Sequence, residues 1–173
     1  MCSVQTHPEI LTPRLALRRL EAHDAPALAR LIDDPDIARM TTRIPYPYGL
    51  AEAEGFIAHV RTSGEKVFAI QPHGGPLAGV LGFQGEDAAP EMGYWLGRPF
   101  WGRGYATEAG RAAVDWAERR WGKRALRSGH FADNPASGRV LDKLGFLYTG
   151  EVQKRPSLAR GEPVDTRMMV WLA

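Results

Sequence analysis

The stretch Trp101-Gly102-Arg103-Gly104-Tyr105-Ala106-Thr107-Glu108-Ala109 sets a small-residue turn directly before a long amphipathic pattern. The first turn of a helix leaves backbone N–H groups without intrahelical partners, and the helix dipole adds partial positive charge at the same end. An anion docked there satisfies both. Gly102 and Gly104 allow close backbone approach and dihedrals that a Cβ penalises, and Ala106 keeps the wall thin. Downstream, Tyr105, Ala109, Ala112, Ala113 and Trp116 form an apolar stripe, with Glu108, Arg111, Asp115, Glu118 and Arg119 outside it. Gly122 stops the helix, and Arg119, Arg120, Lys123 and Arg124 cluster where cations suit the dipole. Upstream, Glu91–Leu96 reads as a strand buried on both faces. The unit is strand, glycine turn, helix, which is the architecture of a phosphate seat.

A nucleoside-triphosphate loop ends in Gly-Lys-Ser/Thr, whereas here Gly104 is followed by Tyr105 and Ala106. A dinucleotide fingerprint wants a third glycine at Thr107 and an acid about 20 positions on, and Lys123 to Gly129 contains none. What remains resembles the coenzyme A pyrophosphate loop of the GCN5-related N-acetyltransferases (GNAT): Gln/Arg, two residues, Gly, one residue, Gly or Ala. Gly104 and Ala106 fall on the last two positions, while Trp101 departs from the usual Gln or Arg. That departure resembles the ribosomal-protein N-acetyltransferase branch (RimJ/RimL type), whose members tend to read Trp-Gly-x-Gly-Tyr-Ala-Thr-Glu-Ala. A second signature agrees in order and spacing: Asn134-Pro135-Ala136-Ser137, then Lys143-Leu144-Gly145-Phe146. The opening Leu11-Thr12-Pro13-Arg14-Leu15-Ala16-Leu17-Arg18 is similar to the branch's start. The resemblance covers nearly the whole chain, least so its first ten residues and Gln153–Pro163.

The remaining pattern predicts a strand over Arg14–Leu20 and a helix over Ala25–Asp33 with Asp24 as N-cap, ended by Pro35 there or in the next turn. Ile44-Pro45-Tyr46-Pro47-Tyr48 is expected to be extended, since each proline removes a donor and restrains its predecessor. A helix over Ala51–Thr62 follows, then strands over Lys66–Gln71 and Leu77–Gln84 joined at His73–Pro76. After the main helix come a strand over Ala125–Ala132, a helix over Pro135–Leu144, and strands over Phe146–Val152 and Asp165–Trp171. The alternation argues for an α/β (α+β) domain in three layers with a mixed sheet, and residues 1–173 read as one domain. The resemblance sharpens this to the GNAT acyl-CoA N-acyltransferase fold, in which Glu91–Leu96 and Ala125–Ala132 would be parallel strands that splay apart and receive the pantetheine arm.

On that resemblance the cosubstrate is acetyl-CoA. Residues 102–107 (Gly102, Arg103, Gly104, Tyr105, Ala106, Thr107) would take the pyrophosphate, joined by the backbone N–H of Trp101, whose ring reads as packing. Main-chain groups of Met92, Tyr94 and Leu96 would hold the pantetheine, one N–H polarising the thioester carbonyl. Glu91 is the base candidate because it begins the strand beside the thioester, although a strand-start acid is also an ordinary charge partner. Asn134 would hold the cofactor or a water, and Ser137 would donate to the leaving thiolate; both equally suit a helix start. Lys143 reads as helix end or as a cofactor-phosphate neighbour. Tyr46, Tyr48 and Trp95 are candidates for the mouth of an acceptor pocket, with surface packing the alternative. Lys154, Arg155 and Arg160 are expected in a loop between the last strands, either facing an acidic acceptor or simply solvated.

Composition bounds the rest. Among 173 residues, 18 Arg against 4 Lys tilt the surface toward guanidinium groups, but a net charge of +2 argues for no nucleic-acid role. No basic start, apolar leader or membrane-length run is present, so a cytoplasmic protein is expected. Cys2 is the single cysteine, and His7, His23, His59, His73 and His130 lack ligand spacing, so neither disulfide nor metal is expected. The expected partners are acetyl-CoA and a primary amine, in a monomer or homodimer. The leading acceptor class is a protein or peptide N-terminus. The alternatives are a small amine such as a polyamine, amino acid or aminoglycoside, or a CoA-binding regulator without turnover.

Overall fold

The computed structural model describes residues 9–85 and 87–173; Cys2 and His7 lie outside that range. Eight strands form one sheet: β1 (Ile10–Leu11), β2 (Leu15–Arg18), β3 (Lys66–Pro72), β4 (Gly79–Gln84), β5 (Glu91–Leu96), β6 (Ala125–Phe131), β7 (Leu147–Ser157) and β8 (Glu162–Leu172). Their spatial order is β1-β2-β3-β4-β5-β6-β8-β7. Every neighbouring pair is antiparallel except β5 and β6. A parallel pair requires a crossover, which helix α4 (Tyr105–Arg119) supplies.

β3 shows why the sheet is covered on both sides. Its consecutive apolar residues point alternately: Val67 and Ala69 pack with α1 (Ala25–Ile32) and α3 (Leu50–Ser63), whereas Phe68 and Ile70 pack with α4 and α5 (Pro135–Lys143). The result is a three-layer α/β fold with a mixed sheet. Trp116, on α4, meets Phe68 edge-on at 5.4 Å and packs beside Trp121 at 5.6 Å, which fixes the helix on the sheet.

Several local expectations are corrected. Asp24 stands at the N-cap position of α1, but its side chain does not cap the helix: the buried carboxylate takes two hydrogen bonds from Arg18, 2.8 and 2.9 Å, and one from the Glu21 N–H. Pro35 does not end a helix but opens the short α2 (Pro35–Ala38), where the Asp34 carboxylate accepts from the Asp36 N–H. The presumed solvated loop between the last strands is mostly strand, for β7 and β8 pair as far as Ser157 opposite Glu162. Charged side chains and prolines hid it, since β7 buries almost nothing and so lacks an alternating pattern.

Candidate active site

The glycine turn and α4 build the first half of the site. Gly102 and Gly104 stand at φ +72° and +77°, the left-handed region that favours glycine, and Gly104 is the N-cap of α4. Among the described residues none accepts a hydrogen bond from the backbone N–H groups of residues 102–107. Six consecutive donors are therefore left without a protein partner at the positive end of a 15-residue helix. A latch holds this turn to the sheet edge. The Glu108 carboxylate accepts from Thr12 Oγ1 (2.7 Å), the Arg14 backbone N–H (3.0 Å) and Arg14 Nε (2.6 Å), while Arg14 Nη1 donates to the Arg103 carbonyl (2.8 Å). Burial acts to raise the Glu108 carboxyl, but the donors from Thr12 and Arg14 outweigh it and hold it below its ordinary value.

β5 and β6 supply the second half. They are joined at one bridge, Glu91 opposite Arg127, beside which the Arg127 N–H donates to the Pro90 carbonyl. Buried Ser128 Oγ then donates to the Met92 carbonyl at 2.8 Å, and beyond it the strands part. Hydrogen-bonding groups alternate sides along an antiparallel strand, and the Gly97 N–H goes to Ala78 on the β4 side. The main-chain groups of Tyr94 consequently face the gap. The Leu96 carbonyl does too, but it is taken by Trp101 Nε1 at 2.8 Å.

Across the gap the Tyr94 hydroxyl and Ser137 Oγ share a 3.1 Å hydrogen bond. Burial pushes the Tyr94 phenol above its ordinary value, partly offset by Ser137. Asn134 is the N-cap of α5, its Oδ1 accepting from the Ser137 N–H at 3.3 Å. The helix sits close to β6 because residue 138 is glycine: a Cβ there would stand 2.7 Å from His130 Nε2 and 2.8 Å from the Tyr148 hydroxyl. Those two side chains are themselves bonded at 2.9 Å, and His130 Nδ1 donates to the Phe131 carbonyl.

The opposite face of β5 carries Glu91, Gly93 and Trp95, on the side of α1 and α3, where Trp95 packs. Both Glu91 oxygens accept from Arg155 of β7, at 2.5 and 3.0 Å. Gly93 is exposed although it lies mid-strand in an eight-stranded sheet, and a Cβ there would meet nothing within 4 Å. Its registered neighbour on β4 is Gly82, so the sheet presents bare backbone next to Glu91.

The structure thus brings Glu91, Tyr94, Ser137 and Asn134 to the splay and puts residues 102–107 at one helix end. Trp101 is corrected as a ligand: its backbone N–H donates to the Arg98 carbonyl and its indole to Leu96, so both donors are spent internally. The Met92 carbonyl is likewise spent, on Ser128. Tyr48 is corrected from pocket lining to core, with 7% exposure and burial pushing its phenol to about 12. Tyr46 is exposed on the segment between α2 and α3. Lys143 lies at the far end of α5 from Ser137, where its carbonyl meets Arg111. Sequence reasoning did not find the Tyr94 hydroxyl, Ser128 or the Arg14–Glu108 latch, and it named Arg155 without its partner Glu91. Only Tyr94 had a usable signal, a phenol at the middle of the strand beside the expected splay; the others are long-range pairings. Two surface hollows lie elsewhere, one beside Ile57 and Arg61, the other between Leu11 and Trp116. Among the described residues no group of three or more His, Cys, Asp or Glu side chains is placed to hold a metal, and no helix is long and apolar enough to cross a membrane.

Residues 14–147 match the family model described as acetyltransferase (GNAT) domain. The "uncharacterized protein YkkB" of Bacillus subtilis (strain 168) is 31% identical over 163 residues, covering 84% of this chain and 89% of its own. The "uncharacterized N-acetyltransferase p20" of Bacillus licheniformis is 25% identical over 167 residues, covering 92% and 93%. Among solved structures, RimL, the ribosomal L7/L12 alpha-N-protein acetyltransferase in complex with coenzyme A, superposes with a TM-score of 0.84 at 23% identity, covering 95% of this chain and 98% of its own.

Proposed function

The chain belongs to the GNAT acetyltransferase family and is an acetyl-CoA-dependent N-acetyltransferase; on that premise we propose that it acetylates α-amines at protein or peptide N-termini by direct attack. In this reading the backbone N–H groups of residues 102–107 hold the pyrophosphate and the Tyr94 edge holds the pantetheine. The acceptor lies over Gly93, between Glu91 and Trp95, with Tyr46 at the mouth. The amine nitrogen attacks the thioester carbonyl carbon; the C–N bond forms as the C–S bond breaks. Glu91, through water, takes the proton the nitrogen loses, and the thiolate takes one from the Tyr94–Ser137 pair. Arg155 uses one lone pair on each Glu91 oxygen, which leaves another on each for that water. A backbone donor on the developing oxyanion contributes on the order of 3 kcal/mol.

The observation that carries the reading is that Glu91, gripped by Arg155, and Tyr94, bonded to Ser137, stand on opposite faces of β5 beside the gap that opens past its single bridge to β6, where one suits proton acceptance and the other proton donation. The acceptor class follows from proton supply. An α-amine with pKa near 8 is about 10% neutral at pH 7, whereas a lysine near 10.4 is about 0.04% neutral. A site with a single modest carboxylate base suits the former. The alpha-N-protein activity in RimL's description supports the same class. The test is free-thiol release from acetyl-CoA across a panel of peptides, amino acids, polyamines and aminoglycosides, with mass spectrometry of products. Product from free-terminus peptides supports the proposal; product only from a small amine replaces it.

A further inference from the structure

Two strands, β6 and β8, lie between β5 and β7, yet Arg155 reaches Glu91 with both terminal nitrogens. The hairpin makes this possible. Between Tyr148 and Val152 the pairing of β7 with β8 shifts register, and Gly150 stands there at φ +84°. The tip is fastened on two sides. The Leu158 N–H donates to the Thr42 carbonyl, Arg160 Nε to the Arg39 carbonyl (2.6 Å), and the Arg160 guanidinium to both oxygens of Asp133 (2.8 and 3.0 Å). Along β7 every second side chain joins a relay: Glu151 accepts from Gln153 Nε2 (2.7 Å), and Gln153 Oε1 accepts from Arg155 Nε (3.1 Å). Arg155 is therefore held at its Nε side while its Nη atoms hold the carboxylate, and both side chains of the pair are about three-quarters covered.

We propose that Arg155 is the positioning residue of the acceptor side: its bidentate grip fixes the Glu91 carboxylate in one orientation at the lip of the splay. The inference rests on Glu91 accepting the acceptor's proton. A planar fork that contacts both oxygens restrains rotation of a carboxylate, which a single ammonium contact does not. Arg155 touches neither reacting group, so its effect passes entirely through Glu91.

The experiment is steady-state kinetics of Arg155→Ala, Arg155→Lys, Glu91→Gln and the Glu91→Gln/Arg155→Ala double variant, with thermal unfolding of each. Arg155→Ala is expected to lower kcat by about tenfold, with KM for acetyl-CoA within about twofold. Arg155→Lys recovers part of the loss. Added ethylguanidinium raises kcat of Arg155→Ala and leaves Glu91→Gln unmoved, and the double variant is no slower than Glu91→Gln. A general packing role gives no such rescue. Wild-type kcat in Arg155→Ala beside a slow Glu91→Gln overturns this proposal alone, as does a double variant slowed by the product of the single effects. Wild-type kcat in Glu91→Gln overturns the base assignment beneath it. If Arg155→Ala does not fold, Arg155→Lys decides: kcat below wild type with acetyl-CoA KM unchanged supports the proposal, and wild-type kcat overturns it.

Discussion

Gly104 is where a single substitution tests the phosphate seat proposed at this turn. The residue is left-handed, and an added Cβ would stand 3.4 Å from Arg14 Nη2. Asn and Asp both tolerate this conformation better than other side chains, so the pair separates charge from strain. Gly104→Asp is expected to weaken CoA binding by at least tenfold, about 1.4 kcal/mol, and Gly104→Asn by clearly less, measured by calorimetry. Equal affinities in folded Gly104→Asp and wild type would remove the pyrophosphate from this turn. Nearby, the depressed Glu108 carboxyl sets the latch's pH range. A lowered folded-state value means the latch is in force above the ordinary glutamate value of about 4.3 and is lost as pH falls through the lower folded value. Tyr94 has the opposite sign: raised by burial, its phenol keeps its proton through neutral and mildly alkaline pH. Tyr94→Phe should lower kcat by about 10² with little change in CoA affinity, and Ser137→Ala by less. Full turnover in both variants would leave the pair with packing alone.

At the scale of elements, the site exists because two neighbouring strands are tied at one end and not at the other. Gly138 lets α5 close on β6, and Ser137 reaches Tyr94 as a consequence. Gly138→Ala is expected to cost about 1–3 kcal/mol of stability by overpacking against His130 and Tyr148 and to lower kcat with it. Unchanged unfolding midpoint and rate would show that the helix has slack. The hairpin is the other movable part. Arg160→Ala removes its clasp on Asp133 and Arg39, so KM for the acceptor should rise more than KM for acetyl-CoA. Parallel shifts in both constants would mean the hairpin does not shape the acceptor side. The glycine turn, α4 and the Asn-Pro-Ala-Ser helix were legible in the sequence because their chemistry is local. The hairpin was not, because β7 is exposed along most of its length and no periodicity marks it. Tyr48 misled for a related reason: a tyrosine between two prolines and a helix reads as surface, and only tertiary packing of α1 and α3 buries it.

In the whole molecule the sheet separates two jobs. On the proposed reading the α4 and α5 side seats the cofactor, the α1 and α3 side meets the acceptor, and β5 is where they join. Because the parallel strands share one bridge, a cosubstrate lying between them adds contacts the free chain lacks. CoA at about 100 times its wild-type Kd should stabilise the fold by about 2.7 kcal/mol and raise the thermal midpoint, whereas Gly104→Asp, bound at least tenfold more weakly, should gain at most about 1.4 kcal/mol at the same CoA concentration. The three-layer class followed from alternating strands and helices; Glu91, Gly93 and Trp95 share a face through the two-residue alternation of one strand, whereas Arg155 reaches Glu91 only through the order of the strands. The central claim, transfer to an α-amine, is tested most directly with matched peptides: one with a free N-terminus and no lysine, the other blocked at the terminus and carrying one lysine. Bringing lysine to the neutral fraction of an α-amine costs about 3 kcal/mol, from about 2.4 pKa units. Acetyl transfer measured as kcat/KM should therefore favour the free terminus by about 10². Preference for the blocked lysine peptide, or for a free polyamine over both, would contradict the account.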